Sequence, residues 1–228
     1  MKYSYIIWDW NGTLLDDVET NLRTANRMLA RRNLPVIGNT DRYREMFSFP
    51  VIDFYRKAGF DLTEVEFRSA AEEYVETYRE YSSASRLFPD AAATLEAFGK
   101  AGLCQVILSA TEQTRLREEV ASYGVAPCFA EILGVGDNLG TSKADRARAF
   151  TKTLGGRALF IGDTAHDAAV AKECSCDCVL VSRGHMDKSR LEETGCVVFE
   201  NLGELSKKIL QNEQPETKIF YKNEKTSK

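Results

Sequence analysis

The residues able to do chemistry stand where this 228-residue chain changes from apolar runs to turns. Ile6-Ile7-Trp8 stops at Asp9, and the turn-forming pair Asn11-Gly12 follows. Leu103–Leu108 stops at Ser109, the run ending at Val135 gives way to Gly136-Asp137, and Ala158–Gly162 stops at Asp163, with Asp167 four residues on. In open parallel sheets ligands sit beyond the carboxyl ends of the strands, so these side chains are expected to meet. One aspartate after a strand says little, because turns favour aspartate; the set says more. Neighbouring carboxylates repel unless a cation neutralises them, so Asp9, Asp163 and Asp167 together call for a divalent ion. Ligands that are all oxygen favour Mg²⁺ over zinc. The Ser109 hydroxyl, Lys143 at a helix start and the backbone N–H groups of the Asn11-Gly12 turn are donors suited to phosphate oxygens.

The elements that must position these groups follow from periodicity. Residues 3–8 read as a buried strand. Val18, Leu22, Ala25 and Leu29 recur at helical spacing, and Asp16-x-x-Glu19 resembles a capping box ahead of them. From Thr40 to Ser85 nothing alternates with period two. A helix is expected over Val51–Lys57, and Phe67, Ala70, Ala71, Tyr74, Val75, Tyr78 and Tyr81 form a helical stripe. The span 17–85 therefore reads as an inserted helical bundle. Beyond Pro89 strands and helices alternate. Strands are expected over 103–108, 130–135, 158–162, 177–181 and 196–199, and helices over 112–123, from Thr141 or Ser142 to Leu154, from Ala165, and over 202–210. Near-continuous apolar strands separated by helices argue a parallel sheet covered on both faces, with right-handed crossovers. The Lys- and Glu-rich end reads as a loose tail into which Ile219-Phe220-Tyr221 could dock.

Composition narrows the class. The chain is long enough for one domain with a large insert, and 43% hydrophobic with 28% charged residues is ordinary for a globular protein. A net charge of −4 gives no reason to expect nucleic acid or an anionic membrane surface as partner. No apolar run approaches the roughly 18 residues of a membrane span, and the run before Asp9 is too short for a secretory leader, so a cytoplasmic protein is expected. The cysteines at 104, 128, 174, 176, 178 and 196 read as free thiols. Cys174-Ser-Cys176-Asp-Cys178 lacks the spacing and second pair of a zinc site.

Asp9-Trp-Asn-Gly-Thr-Leu resembles the first motif of the haloacid dehalogenase superfamily, usually Asp-x-Asp-Gly-Thr. Ser109 after its strand resembles the second motif, Lys143 the third, and Gly162-Asp163-Thr-Ala-His-Asp167 the fourth. The helical insert directly after the first motif is similar to the cap of the phosphoglycolate phosphatase-like branch. The resemblance implies an α/β fold: a Rossmann-like parallel sheet with helices on both faces and an all-helical cap inserted after the first strand. It divides the chain into a catalytic core (1–16 and 86–212), a cap (17–85) and a polar tail (213–228).

By the same resemblance Asp9 is the nucleophile that forms an aspartyl-phosphate. Mg²⁺ is held by the Asp9 carboxylate, the Asn11 backbone carbonyl and Asp163, while Asp167 supports the metal site through waters or orients Lys143. Ser109, Lys143 and the Asn11-Gly12 backbone bind the phosphoryl oxygens, and Thr13 ties the loop. The substrate is a small phosphorylated metabolite, phosphoglycolate-like. Asn11 is the departure, because the family pattern has an aspartate there that protonates the leaving oxygen and then activates water. An amide keeps the backbone carbonyl but shuttles no proton, which costs about 10²–10⁴ in rate. An easily leaving group reduces that cost. So would another proton carrier, with His166 or the Asp16-Asp17 hinge as candidates. Arg23, Arg42, Arg44 and Phe47-Ser-Phe-Pro50 fall where the cap would face the site, and Arg183-Gly-His185 where a loop would edge it. Two alternatives stay open: a phosphonatase-type hydrolase using the cap's single lysine, Lys57, and a catalytically weak binding protein on the same fold.

Overall fold

The computed structural model describes residues 2–137, 139 and 143–211. The chain enters as β1 (Tyr5–Trp8), then β2 (Leu15–Asp16), and runs through four helices, α1 (Val18–Arg31), α2 (Thr40–Met46), α3 (Val51–Lys57) and α4 (Glu64–Tyr81). It returns through β3 (Arg86–Leu87), which pairs antiparallel with β2, so two adjacent short strands carry both crossings between sheet and helical insert. From there helices and strands alternate: α5 (Ala91–Lys100), β4 (Cys104–Glu112), α6 (Gln113–Ser122), β5 (Glu131–Val135), α7 (Ala144–Thr151), β6 (Ala158–Gly162), α8 (Ala165–Glu173), β7 (Asp177–Val181), α9 (Lys188–Glu192), β8 (Val197–Phe199) and α10 (Leu202–Gln211).

Six strands form one parallel sheet in the order β5-β4-β1-β6-β7-β8. The sheet grows outward from β1 on one side, then returns to β1 and grows on the other. That reversal opens a crevice at the carboxyl ends of β1, β4 and β6. The strands are apolar on both faces because both faces are covered. Ile6, Trp8, Ile107, Leu159, Ile161 and Val179 pack with Leu95, Phe98, Leu116, Val120 and Leu202 on one side. The intervening Ile7, Val106, Leu108, Phe160, Cys178 and Leu180 pack with Ala147, Val170, Ala171 and Leu191 on the other.

The helical insert has its own core. Val18, Leu22, Ala25 and Leu29 on α1 meet Tyr43, Ile52, Phe54, Tyr55, Phe67 and Ala70. At its outer edge Arg31 and Arg32 reach Glu73 of α4 at 3.0 and 2.6 Å. A loop of the sheet layer grips α2: Arg44 donates to Gly184 O (2.9 Å) and Arg183 O (3.2 Å), and Arg190 donates to the carbonyls of Arg44, Glu45 and Phe47.

Several local expectations change. The capping box at Asp16 and Glu19 does not form: Asp17 precedes α1, and its carboxylate faces inward instead of bonding the first backbone N–H groups of the helix. β4 runs past Ser109 to Glu112, with a register shift between Leu108 and Glu112. Lys143 stands just before α7 rather than in its first turn, and the caps expected at Thr141 or Ser142 lie outside the described residues, as does the tail from 212. All six cysteines are free thiols.

Candidate active site

Pairing between β1 and β6 continues past the strand, since Asp9 N–H donates to Ile161 O at 2.8 Å. This carries the Asp9 carboxylate, buried, to the mouth of the crevice. The loop after it then tightens, with the N–H groups of Leu14 and Leu15 both donating to Trp10 O at 3.0 Å. Gly12 sits at φ +72°, and a side chain there would collide with Asp163 and the His185 ring. Thr13 Oγ1 donates to Asp163 Oδ1 at 3.1 Å, tying this loop to the end of β6.

Asp9, Asp163 and Asp167 offer carboxylate oxygens that all lie within 4.8 Å of one another. The Lys143 ammonium bonds Asp9, reaches Asp167 Oδ1 at 2.7 Å and donates to Leu108 O at 3.1 Å. The second Asp167 oxygen accepts from Asp163 N–H, Thr164 N–H and the Thr164 hydroxyl at 2.7–3.1 Å, so this carboxylate is fixed between the α8 N-terminus and Lys143. Asp163 Oδ2 accepts from His185 N–H at 2.6 Å.

Burial and the neighbouring acids push Asp9 well above the usual carboxylate range despite Lys143. Burial also raises Asp163, to about 6, against the opposing pull of His185. Burial works the same way on Asp167, but Lys143 outweighs it and holds that carboxyl below its ordinary value. Three acids against one ammonium leave a surplus of buried negative charge, and all the donor atoms are oxygens. That set fits a hard divalent cation.

Asn11 is built into a rigid polar frame beside this cluster. Its Nδ2 donates to Asp17 Oδ2 at 2.8 Å, and its Oδ1 accepts from Thr111 Oγ1 at 2.8 Å. Asp17 is fully buried and also takes bonds from Gly12 N–H (3.1 Å), Asn21 Nδ2 (2.8 Å), Tyr78 OH (3.2 Å) and His185 Nε2 (3.1 Å). These donors overcome burial and lower the Asp17 pKa. Burial disfavours the charged His185 ring, yet Asp17 outweighs it and raises the imidazolium to about 9. The other ring nitrogen of His185 is 3.0 Å from Tyr43 OH. Ser109, buried in β4, bonds Thr111 through both its hydroxyl and the Thr111 N–H at 3.1 Å.

A cavity of about 130 Å³ runs from Asp9, Ser109, Lys143 and Asp163 up into the helical insert, where Tyr43, Phe47, Phe49, Phe54 and Tyr55 wall it. On the α6 side it meets Arg115 and Glu119. Arg115 Nε is buried without a partner, and Trp10 Nε1 donates to Glu119 Oε2 at 3.2 Å.

The crevice thus brings together Asp9, Asn11, Ser109, Lys143, Asp163 and Asp167 as the sequence suggests. Two details differ. The Gly12 N–H, expected to face phosphate, already donates to Asp17 Oδ1 and Leu15 O. The arginines expected over the site are elsewhere: Arg23 pairs with Glu19, Arg42 with Glu45, and Arg44 holds the 183–184 backbone. Of the proposed proton carriers, Asp16 is exposed, Asp17 is saturated with donors, and His166 stacks on Phe49 with ring centroids 4.5 Å apart without itself lining the cavity. Thr111 and Arg115 are the site residues that sequence reasoning did not assign, and it placed Asp17 and His185 near the site without pairing them with one another.

A doubly covered parallel sheet whose central strand carries a buried aspartate to an acidic cluster and a lysine at the switch point has the architecture of an α/β protein with a ligand crevice there. The family model of haloacid dehalogenase-like hydrolases matches residues 6–181, and the chain belongs to this family. Among curated relatives, the phosphoglycolate phosphatase of Haemophilus influenzae is 26% identical over 202 residues, covering 81% of this chain and 88% of that protein. A phosphoglycolate phosphatase of Pseudomonas fluorescens is 25% identical, covering 86% and 76%. The crystal structure of a predicted phosphatase from Clostridium acetobutylicum shares the fold with a TM-score of 0.75 at 22% identity, over 92% of this chain and all of that one. Among the described residues no helix is long and apolar enough to cross a membrane.

Proposed function

We propose that this hydrolase is a Mg²⁺-dependent phosphatase of a small phosphorylated metabolite, with the sheet layer as catalytic core and the helices of residues 17–85 as its cap. The observation that carries the reading is the buried Asp9, paired with Lys143, among oxygen ligands that leave negative charge uncompensated. Phosphatase relatives of similar length support it.

Mg²⁺ would be held by Asp9, the Asn11 backbone carbonyl and Asp163, and when bound it supplies positive charge against the phosphoryl oxygens. Asp9 attacks phosphorus, the P–O bond to the leaving group breaks, and water then cleaves the aspartyl-phosphate. Lys143 and Ser109 hold the transferring oxygens, and Asp167 fixes Lys143. The Asn11 amide supplies no proton, because a carboxamide does not ionise near neutral pH, and both its ends are held in the frame. Lys57, the lysine a phosphonatase would use, donates to Ser48 at 3.2 Å and does not line the cavity, so that alternative gains no support.

The test is release of phosphate from a panel of esters and anhydrides, with and without Mg²⁺, beside Asp9→Asn. Turnover that needs both Mg²⁺ and Asp9 is expected. Absence of any Asp9-dependent turnover would return the protein to the binding-protein reading.

A further inference from the structure

Resting on the phosphatase reading, we infer that the substrate is an aryl phosphate, the monoester of a phenol about one ring in size. Two independent features lead there: the walls of the cavity, and the pairing of the tyrosine and threonine hydroxyls along them.

The wall above the acidic cluster is made of rings. Phe47 and Phe49 meet edge to face at 5.6 Å, and Phe47 also packs on Tyr43 and Phe54. Some of these rings belong to the core of the insert, yet the faces turned to the cavity bound the same space as Asp9. Rings recognise a flat apolar body by offset or edge contact. A two-carbon acid such as glycolate offers these rings nothing to bury. Arg115, whose Nε has no partner, joins Lys143 and His185 as a cation on the wall, and it flanks Tyr78 where a polar ring substituent would sit. The volume, about 130 Å³, is close to that of cavities of about 150 Å³ that accept one benzene ring, which sets the scale of the enclosed part of a substrate.

The wall donors are turned on one another. Tyr43 bonds His185, Tyr74 donates to Asn21 (2.6 Å), Tyr78 donates to Asp17, and Thr111 donates to Asn11. Glu119 is the one wall carboxyl outside the acidic cluster, and one of its oxygens accepts from Trp10. Burial raises the Glu119 carboxyl, and apart from it this wall favours a leaving group that departs without a proton. Phenols have a pKa of about 10, against about 16 for water-like hydroxyls, so a phenolate leaves far more readily than an alkoxide. In the proposed step an Asp9 oxygen forms the bond to phosphorus. The bond from phosphorus to the aryl oxygen breaks, the phenolate keeps the electron pair, and solvent protonates it outside the site. Water then adds to phosphorus, Asp9 leaves as carboxylate, and the proton of the water passes to solvent.

The experiment compares kcat/KM for phenyl phosphate with those for phosphoglycolate and glycerol 3-phosphate, with Mg²⁺, on the full chain above an Asp9→Asn background. This ratio ends at departure of the leaving group, so a slow second step does not blur it. Phenyl phosphate should lead by at least about 10², the lower bound of what a positioned general acid supplies, and Asn11→Asp should narrow the lead. Inhibition reads the wall separately. Phenylphosphonate should bind at least about tenfold tighter than methylphosphonate, and Phe47→Leu should reduce that preference. A smaller lead, or no phenyl preference among the phosphonates, overturns this inference while Asp9-dependent turnover keeps the phosphatase reading. Loss of alkyl-ester turnover alone in Glu119→Gln overturns it too, by revealing a proton donor. No Asp9-dependent turnover on any ester overturns both.

Discussion

Changing Asn11 to aspartate restores the residue type of the family pattern, and the frame around it sets the outcome. The amide nitrogen lies 2.8 Å from Asp17 Oδ2. Two charged oxygens at that separation repel by about 6 kcal/mol at an effective dielectric of about 20, or about four pKa units. The new carboxyl therefore stays protonated at neutral pH and, unlike the amide, carries an acidic proton that a rotation can turn from Asp17 to the leaving oxygen. Because its folded pKa lies above its unfolded value of about 3.9, the stability of the variant matches the parent below that pH and falls as pH rises. At pH 7 the loss reaches about 4 kcal/mol, and at pH 6 about 3. We predict that Asn11→Asp, assayed at pH 6 on alkyl phosphates with phosphate release as readout, runs at least about tenfold faster than the parent, below the full range of a general acid. Thermal melts should show the pH-dependent loss. A folded variant with no gain on alkyl esters would refute the missing-acid reasoning.

Other consequences are as direct. Gly184→Ala drives a methyl group into Asp163 and should weaken Mg²⁺ binding at least about tenfold by calorimetry, with the fold retained by circular dichroism. Arg190→Ala removes three bonds to the carbonyls of 44, 45 and 47, so amide exchange across α2 should quicken while exchange in β6 does not change. Partial burial raises the Glu73 carboxyl, but Arg32 and Arg31 outweigh it and hold it low. Its contribution is present above the unfolded value near 4.5 and lost as pH falls through the folded one. Glu73→Gln should cost about 1 kcal/mol at pH 7, and paired melts should converge once pH has fallen below the folded value.

The sheet was legible because its strands are covered on both faces and each is a short apolar run with a sharp end. Ala158–Gly162 and Asp177–Val181 match their expected bounds for that reason. The acids were legible because strand ends and spacing are local. What stayed hidden is long-range. Asp17 lies 61 residues from Tyr78 and 168 from His185, and nothing near it in sequence says that its carboxylate is taken by such partners. Thr111 is two residues beyond Ser109, but only the continuation of β4 turns it towards Asn11. β2 and β3 are two residues each, too short to show a period. The arginines of α2 read as substrate ligands because position in a helix does not tell a pocket from a clasp.

The central claim is that Asp9 takes the phosphoryl group and that nothing in the Asn11 position moves protons for it. With no base to activate water, the second step should lag the first once the leaving group departs easily. Rapid mixing of the Mg²⁺-loaded enzyme with 4-nitrophenyl phosphate tests this at once. The account predicts a burst of nitrophenolate approaching one equivalent per chain, followed by a slow phase, with phosphate trapped on Asp9 in the acid-quenched peptide. A linear trace from the first turnover, with no label on Asp9, would contradict it.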